Sequence, residues 1–207
     1  MQTTPYLAII TITISIFAAT ISLITLYKTH LSKFNPIMTV GVLTMKIHVA
    51  KHGEETWYLP NIHLPISITN DGARPGKVLG LRIVIHYPDL PIPENHEIFL
   101  PRYDEVAESI KEWMPFVVLP KNTVSQNLVF HSRWDNAVLQ KYVKIHLEMF
   151  PDSKKKWVRV SSWNFSLHPE IWDGLVNEAS YSVKPDTELP MGELVYPKDL
   201  HKYTGIK

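Results

Sequence analysis

The sequence predicts a mainly β protein, an antiparallel β-sandwich preceded by one N-terminal transmembrane helix. Three observations carry this expectation. The run from Leu7 to Tyr27 is apolar and holds no charged residue. Between Ile62 and Thr69 apolar and polar residues alternate strictly, which buries one face of a strand and wets the other. Sixteen prolines against eight glycines, with many Val, Ile, Tyr and Trp, favour short strands with proline-marked ends over a helical bundle.

At about 1.5 Å per residue, a helix over Leu7–Tyr27 reaches roughly 30 Å, the thickness of a bilayer's hydrocarbon core. A cleaved signal peptide is the competing reading. Against it, residues 1–5 hold no Lys or Arg, the run exceeds an ordinary signal h-region, and Ala18 and Ala19 lie inside it rather than after it. A buried core helix is disfavoured because the run is apolar on every face. Lys28 and Lys33 follow the run directly, so the positive-inside tendency places the domain on the cytoplasmic side of the cell's inner membrane, single-pass. Within the run Thr11, Ser15, Ala18, Ser22 and Thr25 recur at helical spacing and form a stripe of small side chains. Such stripes let helices approach closely in lipid, with hydroxyl contacts worth ~0.6 kcal/mol each. Bonding of those hydroxyls to their own helix is the plainer alternative.

After the helix the period becomes alternating. Strands are expected over Ile37–Val49 and Trp57–Thr69, the second with Ile62, Leu64, Ile66 and Ile68 inward. The stretch Asn70–Gly76, NDGARPG, is the strongest turn signal in the chain. A third strand over Lys77–Tyr87 is expected to bury Leu79, Leu81, Ile83, Ile85 and Tyr87. A proline-rich connection leads to a short strand near Glu97–Leu100, followed by a short helical turn over Asp104–Lys111. Further strands are read over Trp113–Leu119 and Thr123–His131, with a loop or brief helix over Ser132–Gln140. Tyr142–Phe150 and Trp157–Leu167 form a hairpin around PDSKKK. Pro169 and Glu170 suit the first turn of a short helix whose Trp172, Leu175, Val176 and Ala179 pack on the sheet. The domain division is therefore 1–33 anchor and flank, 34–180 β domain, and 181–207 extended tail, loose or lying along a surface.

The apolar strand ending LPISITN, the NDGARPG turn, the return strand KVLGLRIVI and the later VVLPKNTVSQNLVF together resemble a recurrent bacterial and archaeal immunoglobulin-like pattern. The chain is similar to single-pass bacterial membrane proteins in which such a domain follows an anchor ending in a basic residue. The resemblance implies an immunoglobulin-like sandwich used for binding or spacing.

Composition narrows the chemistry. A formal charge of +1 gives no electrostatic footprint for nucleic acid. With no cysteine, disulfides, thiolate metal sites and cysteine nucleophiles are excluded. No G-x-S-x-G, S-x-x-K or H-E-x-x-H occurs, and GARPGK is one residue short of a phosphate loop, with Val78 where a Ser or Thr would hold magnesium. His63, His86 and His146 sit on polar strand faces and would bind zinc only by converging. No catalytic, cofactor or metal residue is therefore assigned. Lys154, Lys155 and Lys156 at the hairpin tip, with Lys28 and Lys33, are candidates for contact with anionic headgroups. The expected role is a membrane-anchored interaction or scaffold module with the lipid bilayer and a protein partner or a second copy as its contacts. The alternatives are an envelope-facing module for a small molecule or carbohydrate, and a metal-dependent hydrolase.

Overall fold

The computed structural model describes residues 4–88, 96–106, 109–132, 143–166, 168–184 and 192–196. Helix α1 runs Thr4–Leu26 and continues into one π turn, Tyr27–Leu31. The span Tyr6–Leu31 has mean hydropathy 2.4, with none of its apolar window buried against the rest of the chain. It is the kind of helix found in membrane anchors and signal sequences.

Twelve strands follow: β1 Pro36–Val40, β2 Leu43–His52, β3 Glu55–Asn70, β4 Gly76–His86, β5 His96–Val106, β6 Ser109–Glu112, β7 Phe116–Val118, β8 Thr123–Ser132, β9 Val143–Pro151, β10 Val158–Phe165, β11 Ser180–Val183 and β12 Gly192–Val195. Helix α2, Pro169–Val176, lies between β10 and β11. All pairings are antiparallel, in the order β10-β9-β4-β5-β8-β3-β2-β11-β12, with β1 on β3, β6 on β5 and β7 on β4. The antiparallel β class, the leading apolar helix and the later short helix stand as expected. Among the described residues the hydrogen bonds join the strands into one sheet.

One core lies on the apolar side of this sheet. Ile62, Leu64, Ile66 and Ile68 of β3 face Leu81, Ile83 and Ile85 of β4, Leu128 and Phe130 of β8, and Val143, Ile145, Leu147 and Met149 of β9 within one cluster. Along β9 burial alternates residue by residue, as a strand with one dry face requires. Leu175 of α2 and Ala179 shortly after it are buried as expected, and the Trp172 ring packs against Tyr58 at 5.3 Å between centroids.

The structure corrects several local expectations. The strand over Ile37–Val49 is two strands, because Pro65 has no N–H for the facing chain; there Gly41 N–H donates to the Pro65 carbonyl at 2.8 Å and the ladder breaks. Leu79 is exposed and Val78 fully buried, because an irregularity in register against β9 between Val78 and Gly80 shifts which residue points inward. The helical turn over Asp104–Lys111 is instead the end of β5 and the start of β6, where the backbone ladder Tyr103↔Glu112 to Val106↔Ser109 overrides local preference. The strand over Trp113–Leu119 contracts to Phe116–Val118 after Pro115. Part of the expected tail is ordered: β11 adds to β2 and β12 adds to β11. The expected loop over 133–140 and tail residues 185–191 and 197–207 lie outside the described residues.

Candidate functional site

The densest polar constellation lies where the apolar helix meets the sheet. The chain leaves the π turn at Ser32, whose N–H donates to the Tyr27 carbonyl at 2.8 Å, and then passes under the β3–β4 turn, residues 71–75. Ala73 N–H donates to the carbonyl (3.1 Å) and the hydroxyl (2.9 Å) of Ser32. Asp71 N–H donates to the Asn35 carbonyl at 3.0 Å. The turn therefore holds the linker at both ends.

Asn70 is the hub of this joint and is fully buried. Its Oδ1 accepts from Gly72 N–H at 2.8 Å and from Asn35 N–H at 3.3 Å. Its Nδ2 donates to the carbonyls of Arg74 (2.9 Å) and Val118 (3.3 Å). Its backbone N–H donates to Asn122 O, and its carbonyl accepts from Lys121 N–H. The side chain, with all four of its hydrogen-bonding positions used, thus ties together the linker, the turn and β7, while the backbone of the same residue holds the β7–β8 loop. A buried amide is stable only when satisfied in this way.

Two glycines permit the close approach. A Cβ on Gly72 would fall inside contact distance of the Lys33 carbonyl, and one on Gly76 would fall on the ring of Phe34, which is buried. Lys121, at φ 55°, reaches back to Asp71 with an ion pair at 2.8 Å. The Lys121 ammonium, by its hydrogen bond and then its charge, holds the Asp71 carboxyl below the ordinary value 3.8, with Lys28 adding to the effect.

Basic side chains gather at this same end. The β9–β10 turn carrying Lys154, Lys155 and Lys156 is bonded there through Asp152 N–H to the Lys77 carbonyl at 3.0 Å, just after Gly76. These three lysines are exposed, as are Lys28, Lys33, Arg74 and Lys77. The sequence-derived candidates Lys28, Lys33 and Lys154–Lys156 therefore share one end of the molecule. Arg74, Lys77 and Lys121 join them, and that was not readable from spacing alone.

The small-residue stripe lies on an exposed helix surface. Thr11 and Ser15 turn their hydroxyls to the carbonyls of Leu7 and Thr11 at 2.9 and 2.8 Å, spending them within the helix. The three polar-face histidines divide between two places in the sheet, His86 and His146 on the neighbouring strands β4 and β9 and His63 on β3. His146 interacts with His86 and bonds the Ser162 hydroxyl at 3.0 Å, whereas His63 interacts with His131. Among the described residues no group of three metal-ligating side chains forms.

No protein family and no curated protein matches this chain. Among solved structures it is similar to YcdA of Bacillus subtilis, described as a lipoprotein, at 13% identity and TM-score 0.36 over 70% of this chain and 41% of that one. It is also similar to the structural-genomics target SoR45, at 14% identity and TM-score 0.29 over 64% of this chain and 87% of the target. The chain spans less than half the length of the lipoprotein.

Proposed function

We propose that this is a single-pass membrane protein whose β domain is a non-catalytic interaction or scaffold module, an accessory subunit of a membrane complex. The observation that carries the reading is the joint at Asn70. A flexible tether would suffice to keep a domain near a bilayer. Here the first residues after the helix are instead bonded into the sheet, so the domain keeps a fixed attitude to its anchor. Such stiffness serves a module that must present one face to a neighbour in the same membrane.

Lys28 and Lys33, directly after the apolar run, support a cytoplasmic domain by the positive-inside tendency. With no native cysteine, Ser153→Cys gives a unique label at the hairpin tip. A membrane-impermeant maleimide should react only after cells are opened; reaction in intact cells would reverse the orientation. Crosslinking in native membranes before mild solubilisation should recover a stoichiometric partner or a defined homo-oligomer. A lone monomer after crosslinking would overturn the scaffold reading.

A further inference from the structure

Among the described residues the sheet has two free edges that face one another. Among the described residues β1 pairs only with β3 and β10 only with β9. Met38, Thr39 and Val40 of β1 and Arg159, Val160, Ser161 and Ser162 of β10 line one cleft of about 500 Å³. Each strand contributes consecutive residues. A cleft bordered by strand faces would be lined by every second residue, so these linings are edges.

Hydrogen-bond parity shows what the β1 edge offers. Asn35 bonds Asp71 and Gly41 bonds Pro65, so the odd positions of this stretch address β3. In an antiparallel ladder the intervening residues point their N–H and C=O the other way, which aims the backbone of Met38 and Val40 at the cleft. Strand direction shows what would fit. From β1 the path runs through β3, β8, β5, β4 and β9 to β10, and each step is antiparallel. Six reversals leave β1 and β10 running the same way, away from the helix end. They cannot close the sheet on each other in its own antiparallel pattern, but one strand between them would be antiparallel to both.

We infer that the cleft between β1 and β10 accepts an extended segment of a partner protein as an added strand. The segment runs toward the helix end. Its inward positions are apolar, meeting Met38, Val40 and Val160, which pack half-buried against the core. Its outward positions are polar, beside exposed Thr39 and Arg159. Main-chain bonds supply affinity and the alternating side chains supply selection. This deepens the scaffold reading and rests on it for the partner's location. A membrane partner would offer the stretch that leads into its own transmembrane helix.

The test uses the full chain in neutral-lipid nanodiscs and a dye-labelled octapeptide of alternating valine and threonine flanked by lysines, followed by fluorescence polarisation. Wild type should bind it saturably. Val40→Pro removes an N–H aimed at the cleft, at a free edge where proline is tolerated, and should weaken binding at least about tenfold with the thermal midpoint held. A second measurement does not depend on that variant folding: Thr39→Cys with Ser161→Cys, bridged by a bis-maleimide, should block the cleft and abolish binding. Absence of peptide binding to wild type, or unchanged binding after bridging, overturns the inference. So does a wild-type dimer that Val40→Pro dissociates, which would make a second copy the occupant. A crosslinked partner retained by Val40→Pro would also sink the strand-accepting cleft while leaving the scaffold reading intact.

Discussion

The side-chain oxygen of Asn70 accepts the backbone N–H of Asn35 at 3.3 Å, across 35 residues of sequence, and so bonds the last residue of β3 to the linker that follows the apolar helix. Asn70→Ala leaves four main-chain groups without this partner, two of them in a buried setting. The expected loss is about 3 kcal/mol of domain stability, read as a lower thermal midpoint by tryptophan fluorescence. Asn70→Asp keeps the acceptor for Asn35 and Gly72 but loses both bonds donated to the Arg74 and Val118 carbonyls, and should be no better tolerated because it also buries a charge.

Gly76→Ala tests the seat of Phe34. The added methyl and the ring claim the same space, so the ring must leave its pocket. The sheet should remain folded while residues 32–35 become open to proteolysis. Protection equal to wild type would mean that the ring shifts without unseating the linker.

The Asp71–Lys121 pair predicts a sign for pH. Because the folded carboxyl titrates below 3.8, its contribution is present above that value and is lost as pH falls through the lower, folded one. Lys121→Ala should return the Asp71 titration toward the ordinary value, observable by NMR. The pair is exposed, so the effect on stability is small.

His131 and His146 act in the same direction in a higher window. Burial, reinforced by Arg102 and His63 for the first and by Arg159 for the second, holds both below 6.5. The unfolded chain then takes up protons before the folded one does, so stability is full above 6.5 and declines as pH falls below it. Replacing both with glutamine should flatten the thermal midpoint between pH 7 and pH 5. A slope equal to wild type would assign the acid sensitivity elsewhere.

Lys154, Lys155 and Lys156 should respond to lipid charge. A dye at Ser153→Cys is expected to report a drier setting in nanodiscs with anionic lipid than in neutral ones. Changing the three lysines to glutamine should remove the difference, at about 1 kcal/mol per lysine at low salt. Identical signals in both lipids would leave the tip solvated.

The elements that follow a strong local period were legible in sequence: the helix, the inward face of β3, the β9–β10 hairpin and the proline-started α2. What was lost depends on contacts remote in sequence. The outward turn of Leu79 arises from a bulge against β9, which no pattern within β4 displays. The strand over 109–112 exists because β5 offers it a ladder. Asn70 was visible as the end of a strand and the start of a turn, and an Asn before Asp-Gly is a fair signal for a side-chain-capped turn. Its bonds to Asn35 and Val118 needed the fold. The cleft between β1 and β10 was out of reach, since it follows from counting strand reversals around the whole sheet.

The π turn and the Ser32–Ala73 bonds have a mechanical consequence. The apolar run from Leu7 to Tyr27 measures about 30 Å at 1.5 Å per residue and ends where the π turn begins. With its exit bonded into the sheet, a lean of the helix would be handed on to the whole domain. If the helix spans a bilayer, as proposed, a change in bilayer thickness that tilts it would swing the cleft through an arc.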